Sequence, residues 1–160
     1  MSYAAQTTVP IERSKAEIEK MVVRYGARGF VAGWKDDGKA MIEFVANERR
    51  LRFTLNAPDP SDEEFTHRNH NSGHKVKRPQ ADALRFWEQA CRSRWRALSL
   101  CIKAKLEAVE SGITTFETEF MPYTVLPNGR TTMEHVGPMI EQAYASGKVP
   151  PLALGYDGDK

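Results

Sequence analysis

Residues 79–112 have the periodicity of one long amphipathic helix, and a helix of that length constrains how the remaining chain can pack. Large apolar side chains dominate one arc of this helix: Leu84, Trp87, Cys91, Trp95, Leu98, Ile102, Leu106 and Val109. Mostly small side chains fall on a second arc about 120° away: Phe86, Ala90, Ala97, Cys101, Ala104 and Ala108. Two apolar arcs predict a central helix that is covered on two sides.

The sequence before the long helix predicts a shorter helix. Ser14 and Glu17 have the spacing of a capping box, and Gly26 stands where a helix commonly ends. Between them, one face carries apolar residues at helical spacing: Ile18, Met21, Val22 and Tyr25. This pattern predicts a helix with one side packed against the rest of the domain.

Three strand-like runs follow this helix, at residues 29–35, 39–46 and 49–55. Residues 36–38, Asp-Asp-Gly, are typical of a hairpin turn. Apolar and polar side chains alternate in the second and third runs, which predicts an antiparallel meander with one apolar face. Arg50, Arg52 and Glu43 fall on the opposite, polar face.

The remaining sequence predicts a C-terminal helix. Thr131 and Glu134 have capping-box spacing, and Gly147 marks the end of that helix. The predicted fold is therefore α+β: an N-terminal helix and a three-stranded antiparallel meander packed on a long central helix, with C-terminal helices. The chain is predicted to be a single domain, 1–160. Three segments lack a periodic pattern: flexible tails at 1–9 and 155–160, and a long polar loop at 56–78.

Charge is distributed unevenly along the chain. Residues 75–105 carry 9 basic and 2 acidic side chains, whereas residues 106–160 carry 3 and 8. Four cations of the long helix fall within about 40° of one another and predict a basic ridge: Arg85, Arg92, Arg96 and Lys103. The ridge is interpreted either as a solvated helix face or as a surface that contacts nucleic-acid phosphates. Arg50 and Arg52 would extend that surface if the polar sheet face lies beside the ridge.

No constellation of residues indicates a reaction, so the chain is not predicted to be an enzyme, and no cofactor or metal is predicted. His67, His70 and His74 have a spacing at which imidazoles can ligate zinc. No paired cysteine accompanies them and no predicted helix orients them, so an ordinary polar loop is the favoured interpretation. His135 lacks an identifiable nucleophile or water-binding partner and is interpreted as structural.

Two further groups of residues are candidates for sites. Cys91 and Cys101 lie on the packed arcs, which predicts unreactive thiols. A cluster around a tight turn, formed by Tyr123, Asn128 and Arg130, is interpreted as a connection between elements, with a binding surface as the alternative.

Two stretches carry a resemblance to a family: RWRALSLCIKAKLEAVESGITTFETEF, and LPNGRTTMEHVGPMIEQAYASGKVPPL. Together with RRLRFTLNAPDP, they resemble small bacteriophage- and prophage-encoded proteins of unknown function, over residues 24–154. The resemblance implies no reaction and no site residue. It implies a setting, the bacterial cytoplasm during phage growth or expression from an integrated element.

Three functional hypotheses remain open. The first is a non-enzymatic phage accessory protein that binds DNA or RNA electrostatically through Arg50, Arg52 and the basic ridge, in replication or recombination. The second is a protein-binding module that inhibits a host or defence protein, or a homo-oligomer, with an acidic surface as its partner. The third is a histidine-dependent metal enzyme. With no apolar signal segment and no membrane-spanning run, a cytoplasmic protein without a membrane partner is expected.

Overall fold

The computed structural model describes residues 4–34, 39–70 and 73–149. The helices are α1 Ile11–Arg24, α2 Glu63–Thr66, α3 Gln80–Glu110, α4 Phe116–Phe120 and α5 Thr132–Ser146. The strands are β1 Arg28–Trp34, β2 Ala40–Ala46, β3 Arg49–Leu55, β4 His67–Asn69 and β5 Lys75–Lys77. A 3₁₀ turn, Met121–Tyr123, joins α4 to the segment before α5. The predicted α+β fold is therefore confirmed.

The three-stranded sheet has the order β1-β2-β3, and both pairings are antiparallel. Asn47 and Glu48 connect β2 to β3 with positive φ angles of 48° and 59°, the twist that a tight hairpin requires. The predicted turn at residues 36–38 lies outside the described residues. Along β2, alternate residues are buried from Ala40 to Ala46, so one face of the sheet meets the core.

The core lies between this sheet face and the helices. Its fully buried members come from every layer of the fold: Ile18, Val22, Ile42, Phe44, Leu51, Ile102 and Phe120. Phe53 joins the sheet to the C-terminal elements because its ring stacks on Tyr123, with centroids 4.1 Å apart, and meets Phe120 edge to face. The long helix α3 packs along α1 and contacts β3 and α4.

Only one of the two predicted packing arcs of α3 is buried. Cys91, Trp95, Ile102 and Leu106 are buried as predicted, but Leu84 is 52% exposed. The second arc is mostly open to solvent: Phe86, Ala97, Cys101 and Ala104 are exposed. The prediction that α3 is covered on two sides was therefore wrong. Alanine favours helices for its backbone propensity alone, so an alanine arc does not require a packing partner.

The start of α1 also differs from the prediction. The helix begins at Ile11 after an extended Pro10, so Ser14 lies inside the helix and is fully buried rather than capping it. The end of the helix is as predicted: Gly26 has a φ of +83° and closes it, with the Ala27 amide bonded to the Val22 carbonyl oxygen at 2.9 Å.

Two segments predicted to lack structure are partly ordered. Within 56–78 lie α2 and a short hairpin of β4 and β5, in which His67 pairs with Lys77. Within 1–9, Ala4 is buried and the side-chain amide of Gln89 donates to the carbonyl oxygens of Ala5 and Thr7. The tail at 155–160 lies outside the described residues.

The C-terminal helix α5 begins and ends as predicted. Thr131 and Glu134 form the reciprocal capping box, and Gly147 ends the helix in the left-handed region. Pro138 lies within the helix and cannot donate to the Glu134 carbonyl oxygen. The Arg130 guanidinium donates to that oxygen instead. Across the described part of the chain, no helix has the length and apolar character to cross a membrane.

Candidate functional site

A groove of about 320 Å³ lies between α1 and α3. Four cations line it, two from each helix: Lys20 and Arg24 of α1, and Arg96 and Lys103 of α3. Among the residues that the structure describes, the lining contains one carboxylate, that of Glu17. We call these five residues, with the space between them, the interhelical groove. Its lining carries a net charge of +3.

The groove exists because α1 and α3 pack closely through their apolar faces. Ile18 and Val22 of α1 are buried in the same core as Ile102 of α3. Residues on the flanks of these faces then lie opposite each other at the solvent edge. Lys20 and Arg24, four residues apart, share one flank of α1 and are exposed.

An ion pair joins the two walls of the groove. Arg96 donates to Glu17 across the helix interface, and both side chains are about one-third exposed. Glu17 also lies 3.4 Å from the exposed Arg13 guanidinium. Lys20, Arg24 and Lys103 have no carboxylate within ion-pair distance among residues 4–34, 39–70 and 73–149. Three cations are therefore available for an anionic ligand.

An acidic region limits the groove at the C-terminal end of α1. The Tyr25 hydroxyl donates a hydrogen bond to the Glu110 carboxylate of α3. That hydrogen bond raises the pKa of Tyr25, with burial and the charges of Glu110 and Glu107 acting in the same direction. Beyond Arg24, Glu107 and Glu110 would therefore repel a polyanion bound in the groove. Such a ligand could extend only away from these two carboxylates.

The other ridge residues lie nearer the start of α3. Arg92 is held by Gln89, whose side-chain oxygen accepts from its Nε and Nη2 at 3.1 and 2.8 Å. Arg85 is 73% exposed and lies 3.5 Å from Asp82. The predicted ridge thus contains two members of the groove and two residues outside it.

Arg50 and Arg52 do not extend the ridge. Both lie on the polar sheet face, opposite the face that packs on the helices. Arg52 is enclosed, because its guanidinium is 2.7 Å from Glu43 Oε2 and donates to the Gly129 carbonyl oxygen at 2.9 Å. Arg50 is half exposed, 3.7 Å from Glu43. The position of Arg52 indicates a structural role.

The loop histidines do not converge. The rings of His70 and His74 stack with centroids 4.9 Å apart, whereas Nδ1 of His67 is 2.9 Å from the Thr66 hydroxyl. Across the described ranges, no three side chains of histidine, cysteine, aspartate or glutamate are grouped to hold a metal ion. Both ring nitrogens of His135 are buried without a hydrogen-bond partner in those ranges.

The cluster of Tyr123, Asn128 and Arg130 around the tight turn has structural contacts. Tyr123 stacks on Phe53, and the Asn128 side chain accepts from the Arg130 amide at 3.0 Å. The Arg130 side chain bonds to the Glu134 carbonyl oxygen. These contacts agree with the interpretation of this turn as a connection between elements.

Sequence reasoning missed Lys20 and Arg24. Their spacing on α1 was visible, but their position beside Arg96 depends on how α1 packs against α3. The fold and the groove thus define an α+β protein with a basic interhelical site. No protein-family model, curated protein or solved structure matches the chain. The resemblance to phage-encoded proteins stays a prediction.

Proposed function

We propose that this protein binds nucleic acid through the interhelical groove, mainly by contacts to phosphate groups. One observation carries the proposal: Lys20, Arg24 and Lys103 project around one groove with Arg96, and the described residues of the lining include a single carboxylate. Phosphate contacts of this kind supply affinity without reading sequence. The protein is then a non-enzymatic accessory factor, and a role in phage replication or recombination belongs to the same proposal.

The dependence on salt follows from the number of free cations. Three phosphate contacts give a slope of about −2.7 for the logarithm of the duplex binding constant against the logarithm of salt concentration. Affinity should therefore fall roughly 40-fold between 50 and 200 mM salt. Fluorescence anisotropy with a labelled duplex at several salt concentrations measures this slope.

Charge reversal tests the location. The double variant Arg24→Glu with Lys103→Glu should weaken binding of duplex DNA by at least about tenfold and make the salt slope shallower. The matched control is Arg49→Glu with Lys148→Glu, which changes net charge equally at exposed positions that do not line the groove. Equal losses in both variants would mean that the groove is not the site.

Protein binding is a second candidate function, favoured by the apolar surface of α5. Met133 is 56% exposed, Ile140 45% and Tyr144 89%, and these residues recur at helical spacing. Light scattering of the protein before and after Ile140→Glu tests self-association through this surface. If both proteins had a monomeric mass, self-association through this surface of α5 would be excluded.

A further inference from the structure

A second cavity lies between the β4–β5 hairpin and the start of α3. Its volume is about 370 Å³, and its walls include Pro60, Thr66, Lys77, Arg78, Leu84 and Trp87. We call it the hairpin cavity. It does not share a lining residue with the interhelical groove.

The apolar part of the hairpin cavity is held in place. The indole nitrogen of Trp87 donates to the Pro58 carbonyl oxygen at 2.8 Å, which fixes the plane of the ring. Leu84 is 52% exposed although it belongs to the same arc of α3 as the buried Cys91 and Trp95. The fixed indole and the exposed leucine form a flat apolar wall whose contact with water is unfavourable.

Cations surround this wall. Lys77 is exposed and has no ion-pair partner within the described ranges. The Arg78 guanidinium lies 4.1 Å from the centre of the Phe86 ring, and its Nε donates to the His67 carbonyl oxygen at 2.9 Å. Arg78 is thereby held as a planar cation at the cavity wall.

The hairpin itself is basic. Residues 67–78 contain four lysines and arginines and no aspartate or glutamate. Lys75 pairs with Glu63, while Arg68 has no carboxylate partner in the described part of the chain. Lys77 lines the hairpin cavity, whereas Arg68 pairs with Val76 and therefore lies on the opposite face of the hairpin. A phosphate group next to the apolar wall would meet Lys77.

We infer that the hairpin cavity binds an unpaired base of single-stranded nucleic acid, with Lys77 contacting an adjacent phosphate. Aromatic and arginine planes beside a basic surface are what single-strand binding sites provide, because each base has a face that stacks. A duplex keeps its bases inside the helix and cannot fill the cavity. The inference rests on the proposed function for the ligand class but uses other residues.

Abasic DNA separates base binding from phosphate binding. The probes are a labelled single strand of thymidines and an abasic strand of the same length, measured by anisotropy against the full-length protein. The thymidine strand should bind about tenfold more tightly, within the range expected from stacking of one base. Equal affinities for the two strands would overturn the inference.

Substitution at Leu84 locates the base. Leu84→Glu should abolish the preference for the thymidine strand and leave duplex affinity within about twofold, because Leu84 is exposed and outside the interhelical groove. Leu84→Asn, which adds no charge, should also reduce the preference. A preference that persists in both variants would place the base elsewhere and overturn the inference.

The two proposals fail in different ways. Suppose that Arg24→Glu with Lys103→Glu leaves duplex binding intact while Leu84→Glu abolishes the thymidine preference. The interhelical groove is then not the duplex site, and the base-binding role of the hairpin cavity is supported. If instead the two strands bind equally and the groove variant weakens both, the hairpin cavity does not bind a base, and phosphate binding in the groove is supported.

Discussion

Arg130 donates from its guanidinium to the carbonyl oxygen of Glu134, the acceptor that would otherwise bond to the amide of residue 138. Pro138 has no amide hydrogen, so this side chain supplies the missing donor. The bond links the turn at residues 127–130 to the first turn of α5. It explains how α5 continues through a proline.

Arg130→Ala should therefore destabilise the protein by about 1 kcal/mol, the usual net value of a hydrogen bond at an accessible position. Urea unfolding followed by circular dichroism measures the difference. In a Pro138→Ala background the backbone donor is restored, so the same arginine substitution should cost clearly less. Equal costs in the two backgrounds would show that Arg130 does not compensate for the proline.

Glu17→Gln should strengthen nucleic-acid binding. The substitution removes the carboxylate of Glu17 from the groove lining and releases Arg96, so a fourth cation becomes available. Its effect on stability should be small, about 0.2–1 kcal/mol, because the ion pair is partly exposed. Anisotropy at low salt checks the affinity.

The matched control is Glu19→Gln, at an exposed position of α1 that does not line the groove. An increase in affinity that is equal for Glu17→Gln and Glu19→Gln would indicate a general charge effect. That outcome would count against the groove.

The two cysteines should react at very different rates with a thiol reagent. Cys101 is exposed, whereas Cys91 is buried and its desolvation raises the pKa of its thiol. Ellman's reagent should therefore modify one thiol quickly in the folded protein and the second only after unfolding. Cys101→Ser should abolish the fast phase, and Cys91→Ser should leave it. Two slow thiols would contradict the exposed position of Cys101.

The contact between α1 and the end of α3 should weaken at high pH. The hydrogen bond to Glu110 is the main reason that the pKa of Tyr25 is raised above its ordinary value of 10.0. Because the folded value is the higher one, the contribution of this contact is fully present below about pH 10. It is lost as pH rises through the folded value.

Urea unfolding measured between pH 9 and 11.5 tests this dependence. Tyr25→Phe removes the titrating hydroxyl but keeps the ring, so it should lose less stability than the wild type over this range. If the free energies of unfolding of the two proteins changed equally with pH, Tyr25 would contribute nothing to the pH dependence.

The parts of the fold that sequence predicted are those governed by local periodicity. The strict alternation in β2 and β3 predicted their buried faces, since a one-residue shift would expose Phe44 and Phe53. The apolar spacing from Cys91 to Leu106 predicted the buried face of α3. Gly147 and the Thr131–Glu134 pair predicted the ends of α5 because those residues satisfy the helix termini directly.

The errors arose where two patterns competed or where strands were very short. Ser14 and Glu17 have capping-box spacing, but Pro10 is well suited to precede a helix, and α1 begins one turn earlier. Strands β4 and β5 are three residues each, too short for alternation to be read. Within the candidate site, Arg96 and Lys103 were predicted from α3 alone. Lys20 and Arg24 required the packing of α1 on α3.

The side-chain amide of Gln89 forms hydrogen bonds through both its nitrogen and its oxygen. Its nitrogen donates to the Ala5 and Thr7 carbonyl oxygens, and its oxygen accepts from Arg92. The orientation of that amide is therefore dictated by the N-terminal segment. Without residues 1–8 the Gln89 nitrogen would lose both acceptors, so the amide could rotate and weaken its hydrogen bonds to Arg92. The N-terminal segment thus supports the position of a cation on the central helix.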